Sequence, residues 1–419
     1  MRDDDTVQAI PLTAEDRAIL ALEGSTLAGH TCKVIVLDGG APSTAALVAR
    51  VAARVAAAAP LTRRLGGTSS RPAWVADPHF DPRAHVVSAP CPAPLDRGEL
   101  RAEVARLFSE RLDRERPLWR IDRFPLHGGG AALVWRIHHA LADGVTAMRY
   151  AQALLWDTLA DASQTRSHAV THEQDQVRRR AHLAGFFARE LARSRSPFDG
   201  HIGTRREVAF ASLPLTALHD AARAAGAATL NDAVLSVVGG GLGRWIERYH
   251  GHMDSVRVKV PVSLHRAGDG AGNHDSFFSV AVPVAQPDPV ARLRAVHAAT
   301  AVRKAEHDAD TRDELLRDLS HVSPRLRRLC ERVERSGRAF AVNVSNVPGP
   351  RERVGVLGAP VSSLYSIAEI AQHHAVRVAA VSVADTLFLG FCADPAIVAG
   401  VQAMAEGTEL EALALIAAT

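Results

Sequence analysis

Residues 131–144 read AALVWRIHHALADG. Along an extended strand successive side chains point to opposite faces, so Leu133, Trp135, Ile137 and His139 share one face and Val134, Arg136 and His138 the other. The two adjacent histidines therefore point opposite ways. Asp143-Gly144 is a turn signal and Val145 to Leu155 has helical spacing, which predicts His139 where a strand runs out into a loop. An imidazole with its ordinary pKa of about 6.5 is mostly neutral at cell pH and can take a proton from a hydroxyl, thiol or amine. The competing structural reading is that His138 and His139 simply close a strand with satisfied hydrogen bonds.

The pair is part of a longer pattern. HHALADG is similar to the HHxxxDG motif of the CoA-dependent acyltransferase superfamily, which includes the condensation domains of peptide synthetases. Arg116-Pro117-Leu118-Trp119 resembles a PLW motif, Leu230-Asn231-Asp232 an LND motif, and Ser345-Asn346-Val347-Pro348-Gly349-Pro350 an NVPGP motif, all of bacterial wax ester synthase/diacylglycerol acyltransferases. LTAEDRAILALE at 12–23, WVADPHFDPRAHV at 74–86 and VPVSLHRAGDGAGN at 260–273 extend the resemblance over nearly the whole chain.

The resemblance implies an α/β fold of two chloramphenicol-acetyltransferase-like lobes, with mixed sheets flanked by helices and a channel between them. It implies transfer of an acyl group from acyl-CoA, as co-substrate, to a long-chain alcohol or diacylglycerol, with His139 as general base. Within the motif His138 and Gly144 are structural, and Asp143 is a carboxylate that pairs with an arginine and shapes the loop. Asp-Gly is also a common turn on propensity alone. The sequence does not name that arginine. Pro117, Leu118 and Trp119 are expected along the channel, with core packing beside His139 as the alternative for Trp119. Asn231 and Asp232 either cap a helix or act directly. Ser345, Asn346, Pro348 and Gly349 form a rigid loop by the channel, where Ser345 or Asn346 would donate hydrogen bonds to substrate or oxyanion; the alternative is a merely rigid turn.

Bulk composition is consistent with that outline. At 419 residues the chain exceeds one ordinary core and suits two lobes. With 47% apolar and 23% charged residues it is globular rather than disordered. The net charge of +3 and the lack of a basic run with interleaved aromatics argue against nucleic acid as a partner. Cys32, Cys91, Cys330 and Cys392 show no CxxC spacing, which argues for a reducing compartment and against zinc. The acidic start MRDDDTVQ is unlike a secretory signal, and Arg50 and Arg54 interrupt the most alanine-rich stretch, so no membrane span is expected. A cytoplasmic location follows by default, and the family adds possible peripheral contact with a membrane or lipid droplet.

The lobes are expected at 1–160 and 207–419, joined by a charged helix and linker at 161–206. Thr13 is the expected N-cap of a helix reaching Glu23, and Thr31 to Leu37 a strand. Residues 42–58 read as one amphipathic helix, Glu99 to Leu112 as another, and Arg120 to Phe124 as a strand. Thr229 caps the helix that begins at Leu230; its Gly239-Gly240-Gly241 and Gly243 lack the Lys-Ser/Thr of a phosphate loop, so close helix packing is the better explanation. His168 and His172 have a metal-like spacing without a third ligand, and no metal is expected. Further strands are expected at Val256–Val262, Phe277–Pro283, Phe340–Val344 and Ala375–Val383, with helices over Pro289–His307 and Thr311–Arg335.

The last part departs from the family. RERVGVLGAP at 351–360 stands where REPLY-like residues are usual, and Ser382-Val383-Ala384-Asp385 where Ser-Tyr-Gly is expected, on the presumed acceptor side. Two rivals therefore stay open: an acyltransferase for an amine or hydroxyl of a specialised metabolite, fed by CoA or a carrier protein, and a non-catalytic module that binds acyl-CoA or a carrier protein. No GxSxG elbow and no cysteine in a reactive context are present, so no acyl-enzyme is invoked.

Overall fold

The computed structural model describes residues 9–68, 70–157, 196–226, 228–263, 275–305 and 340–419. His168, His172, most of the 161–206 segment, the GDGAGN turn and the 311–335 helix lie outside the described residues. The architecture is mixed α/β, in two compact units. They are not contiguous: the first holds the described residues up to Asp157 together with Val347–Glu369, and the second holds the remainder. Val347–Glu369, inside the range expected for the second lobe, is grouped with the first unit.

The first unit contains β1 (Ile10–Pro11), α1 (Ala14–Leu22), β2 (His30–Leu37), α2 (Thr44–Arg54), β3 (Arg63–Thr68), β4 (Arg71–Ala76), α3 (Pro82–His85), β5 (Val86–Ser88), α4 (Arg97–Phe108), β6 (Trp119–Pro125), β7 (Ala131–His138) and α5 (Gly144–Leu154). Strands β12 (Gly355–Val356) and β13 (Ala359–Ala368) complete its main sheet, ordered β12-β13-β2-β7-β6-β5, while β1, β4 and β3 form a small second sheet. All neighbours in the main sheet are antiparallel except β5 and β6. Every residue of β7 is buried, as expected of a central strand covered on both faces. Its register pairs His138 with His30 and Trp135 with Lys33.

The first helix starts where the sequence said: Thr13 Oγ1 accepts from the Asp16 N–H and the Asp16 carboxylate accepts from the Thr13 N–H, a reciprocal capping box. The long 42–58 helix does not hold. After Arg54 the chain tightens into a 3-10 segment, Val55–Thr62, with non-helical dihedrals at Ala58 and Pro60 inside it. The whole stretch Thr44–Thr62 is apolar and long enough to cross a bilayer by length and composition, against the expectation above. Its arginines instead bind the loop after α5: Arg50 reaches Leu155 O and Asp157, and Arg54 reaches Trp156 O at 2.6 Å.

The second unit holds β8 (Glu207–Pro214), α6 (Leu215–Ala224), α7 (Leu230–Tyr249), β9 (Val256–Ser263), β10 (Asp275–Val282), α8 (Pro289–Ala305), β11 (Val342–Val347, whose last residue belongs to the first unit), β14 (Val376–Val383), β15 (Thr386–Ala393) and α9 (Val401–Ala417). Its six-stranded sheet runs β10-β9-β11-β14-β15-β8, with β9 and β11 parallel. The glycines of α7 serve close packing: a β-carbon on Gly240 would strike Glu411, and one on Gly241 would strike Thr408 and the Met404 carbonyl, all on α9. Buried Arg292 ties the same helices, donating to Ser236 O and to the Glu411 carboxylate.

Candidate active site

The histidine loop is built by β2 and β7. After the last paired residues the strands stay together for one more step, and the His139 N–H donates to Gly29 O at 2.9 Å. Gly29 has φ +74°, and a β-carbon there would lie 2.6 Å from His138 Nε2, so backbone conformation and close approach both require glycine.

The two histidines then part. His138 is 1% exposed, and its Nδ1 accepts from the Ala140 N–H at 3.1 Å, which leaves the proton of the neutral ring on Nε2. That nitrogen faces the Glu23 carboxylate at 3.7 Å, and Glu23 also takes an ion pair from Arg114. Burial pushes the Glu23 carboxyl up, but His138 and Arg114 outweigh it and hold the group below the usual carboxylate range. Glu23 and Gly29 were not read as site residues, although Glu23 ends the LTAEDRAILALE segment. His139, by contrast, is only half-buried.

Asp143 is the N-cap of α5 and its Oδ1 accepts from the Thr146 N–H at 2.6 Å. It is 2% exposed, so the carboxylate shapes the loop from within. Arg63 borders the same small cavity as Asp143. A different cation lies in the same field. Lys33, fully buried on β2, donates from Nζ to Ser366 Oγ at 2.7 Å; burial pushes it down to about 8, opposed by the charges of Cys32 and Asp143. Its face of the sheet is that of Trp135 and Ile137.

Gly144 meets Val347 of the SNVPGP run, since a β-carbon on Gly144 would lie 2.8 Å from Val347 Cγ2. Two of the sequence motifs are thereby in direct contact. Ser345 (half-buried) and exposed Asn346 belong to the second unit, and Val347, exposed Pro348 and half-buried Gly349 to the first.

Pro117, Leu118 and Trp119 are all buried. Leu118 O accepts from the His138 N–H at 2.9 Å, so this motif supports the histidine loop through backbone. The Trp119 indole N–H donates to Leu61 O at 2.7 Å, and its ring stacks on His85 at 4.5 Å. At 1% exposure Trp119 has the surroundings of a core residue. A cavity of about 540 Å³ bordered by Pro117 and Trp119 contains no residue of the histidine motif. A smaller one of about 280 Å³ is bordered by Ala140 to Asp143.

The LND segment opens α7 in the second unit. Thr229 is the N-cap, and buried Asp232 closes a capping box with it. Asp232 also accepts from Thr300 Oγ1 at 2.7 Å and pairs with His297 Nδ1 at 2.9 Å, tying α7 to α8. Asn231 is half-buried beside it. In the 382–385 segment Ser382 and Val383 end β14, and Ala384 and Asp385 form the hairpin turn into β15: Ala384 has φ 48° and Asp385 accepts from the Thr216 N–H. Among the described residues no group of three or more His, Cys, Asp or Glu side chains could hold a metal.

Comparison with known proteins gives the family and the fold. The family model for the wax ester synthase/diacylglycerol acyltransferase catalytic domain matches residues 12–189, and that for the C-terminal domain of the same family matches 271–416. A putative diacylglycerol O-acyltransferase of Mycobacterium tuberculosis (strain CDC 1551 / Oshkosh) is 30% identical over 396 residues, covering 81% of this chain and 83% of its own. A probable diacylglycerol O-acyltransferase of the same strain is 28% identical over 417 residues, covering 91% and 90%. Among solved structures, the wax ester synthase/diacylglycerol acyltransferase from Marinobacter aquaeolei VT8 superposes with a TM-score of 0.73 at 22% identity, over 97% of this chain and 98% of that one. A starter condensation domain of rhizomide synthetase, solved in complex with C8-CoA, gives 0.61 at 13% identity over 97% and 95%. These two likenesses concern the fold, a two-lobe α/β architecture.

Proposed function

The chain belongs to the wax ester synthase/diacylglycerol acyltransferase family and is an acyltransferase, and from that premise we propose that it moves an acyl group from acyl-CoA to the hydroxyl of a long-chain alcohol or diacylglycerol. His139 is the general base. Its imidazole takes the hydroxyl proton as the oxygen attacks the thioester carbonyl; the tetrahedral intermediate collapses, the C–S bond breaks, and the imidazolium returns the proton to the departing CoA thiolate. Transfer is direct, without an acyl-enzyme.

The observation that carries this reading is the unequal treatment of two adjacent histidines. His138 is sealed in and committed through Nδ1, whereas His139 is anchored by its backbone to Gly29 and keeps partial exposure. A purely structural pair would be expected to bury both rings. Supporting it, Asp143 spends its carboxylate on the start of α5, so it orients the loop as a positioning residue.

The test is CoA-thiol release from palmitoyl-CoA, with hexadecanol, dioleoylglycerol and hexadecylamine offered separately. Ester formation with either hydroxyl acceptor is the expected result. Amide formation alone would replace the acceptor class, and no thiol release with any acceptor would remove catalysis from the reading.

A further inference from the structure

The larger cavity, of about 540 Å³, lies within the first unit and has a lining that acyl transfer does not use. Five arginines border it, Arg106, Arg111, Arg116, Arg120 and Arg136, against three carboxylates, Glu110, Asp113 and Asp122. Burial holds the imidazole of His85, also in the lining, below its ordinary value, so at neutral pH it adds no charge to either side. The imbalance is sharpest among the buried groups. Asp122, 2% exposed, is shared: its Oδ1 accepts from Arg120 Nε at 2.9 Å and its Oδ2 from Arg136 Nη2 at 3.0 Å. Arg136, 3% exposed, gives Nη1 to the carbonyls of Leu107 and Glu110, and its Nε is buried with no acceptor among the described residues. Its second carboxylate, Glu110, stands 3.9 Å away, half-exposed and already engaged by Arg106 at 2.5 Å. Two guanidiniums thus divide one buried carboxylate, and a buried charge so incompletely compensated is costly.

The more exposed arginines do not restore the balance. Arg116 meets Asp113 at 3.4 Å, and Arg111 meets Glu23 at 3.8 Å, a carboxylate that Arg114 already holds. Glu103 pairs with Arg106 from outside the lining. With Glu103, Glu23 and Arg114 included, six arginines face five carboxylates, and positive charge is still in excess. An ammonium would add to that excess and a neutral group would leave it in place, whereas an anion removes it. Guanidinium N–H groups suit a phosphate or a carboxylate, and the excess of two in the lining itself matches the dianion of a phosphomonoester. The remaining walls, Ala84, Ala89, Pro90 and Leu112 among them, are apolar. At about 30 Å³ per water-sized group the cavity takes roughly eighteen non-hydrogen atoms, of which a bare phosphate would supply about five. We propose that this cavity binds a phosphomonoester, with its phosphate among Arg111, Arg116 and Arg136 and its organic part against the apolar walls. No residue of the histidine motif borders the cavity, so the proposal stands or falls independently of the acyl-transfer reading.

The experiment is isothermal titration calorimetry on the full chain at pH 8 and fixed salt, with phenyl phosphate as the probe. Benzenesulfonate, a monoanion of similar shape, inorganic phosphate and benzylamine are titrated beside it. Saturable binding of phenyl phosphate is expected, with benzenesulfonate and inorganic phosphate at least about threefold weaker and benzylamine weaker still. Arg111→Gln and Arg116→Gln remove charge from half-exposed side chains and should each weaken phenyl phosphate roughly three- to tenfold. Arg248→Gln, at an exposed position on α7 of the second unit, should leave the affinity unchanged. Phenyl phosphate binding that is absent, or matched by benzenesulfonate or benzylamine, or unchanged in both lining variants, or weakened as much by Arg248→Gln, would overturn the proposal. Inorganic phosphate binding as tightly as the ester would overturn it too, since the organic part would then contribute nothing.

Discussion

Gly144 and Val347 are in van der Waals contact so close that a β-carbon on the glycine would stand 2.8 Å from Val347 Cγ2. The end of the histidine motif therefore rests on the SNVPGP segment, and the start of α5 has no room to move toward it. Adding one methyl group should displace Val347 or the helix start, at a cost of about 1–3 kcal/mol for overpacking. Gly144→Ala is expected to lower both melting temperature and turnover, and Gly144→Ala combined with Val347→Ala to recover most of each. A double-mutant cycle measures this; simple additivity would mean that the two residues do not bear on one another.

His138 supports the loop from the buried side. His138→Ala removes the acceptor of the Ala140 N–H and leaves Glu23 without its imidazole neighbour, so the expected loss is of stability, on the order of 2–4 kcal/mol by chemical denaturation. Because Glu23 is held below its ordinary range in the folded state, its contribution is present above the unfolded pKa and is lost as pH falls through the folded one. The stability advantage of the parent over Glu23→Gln should accordingly shrink on acidification, read as the difference between the two denaturation midpoints from pH 7 down to 4. A difference that stays flat, or grows, contradicts the pairing.

Lys33 carries the opposite sign. Its folded pKa of about 8 lies below that of the unfolded chain, so between those values the unfolded state binds the extra proton and stability rises with pH. Lys33→Met, which keeps length and removes charge, should be at least as stable as the parent at pH 7. The parent should then gain on it between pH 8 and 10 by up to ~3 kcal/mol. A parent that loses ground to the variant over that interval would mean the ammonium is better accommodated than its burial implies.

Much of the fold was legible because its signals are local. The Thr13 and Thr229 caps, the strand before the histidines and the close-packed glycines of α7 each depend on a few neighbouring residues. What escaped depends on residues distant in the chain. Strand β13 lies beside β2 in the first unit although it follows the SNVPGP run, and nothing in 359–368 by itself says which sheet it joins. The site divides the same way. Its histidine pair and Asp143 stand in one motif, but Gly29, Glu23 and Lys33 act through contacts across strands and helices, and the Trp119 indole N–H donates to Leu61 O, far back in the chain. The 42–58 helix stops short of its expected end: the α-helix closes at Arg54, and the chain tightens into a 3-10 segment that contains Pro60.

Asp232 tests whether LND is chemistry or architecture. It accepts from Thr229, Thr300 and His297 at the start of α7, so Asp232→Ala should cost about 3 kcal/mol or more through lost capping and unpaired partners. Turnover per folded molecule, measured at a temperature where the variant remains native, should stay within a few-fold of the parent. A loss of a hundredfold or more in fully folded protein would make Asp232 part of the reaction.

The central claim is the proton carried by one imidazole. His139→Ala, assayed for CoA-thiol release with the best hydroxyl acceptor, should lose at least a hundred- to ten-thousandfold in kcat while its circular dichroism and melting temperature stay close to those of the parent. Turnover within a few-fold of the parent, in protein equally well folded, would contradict it.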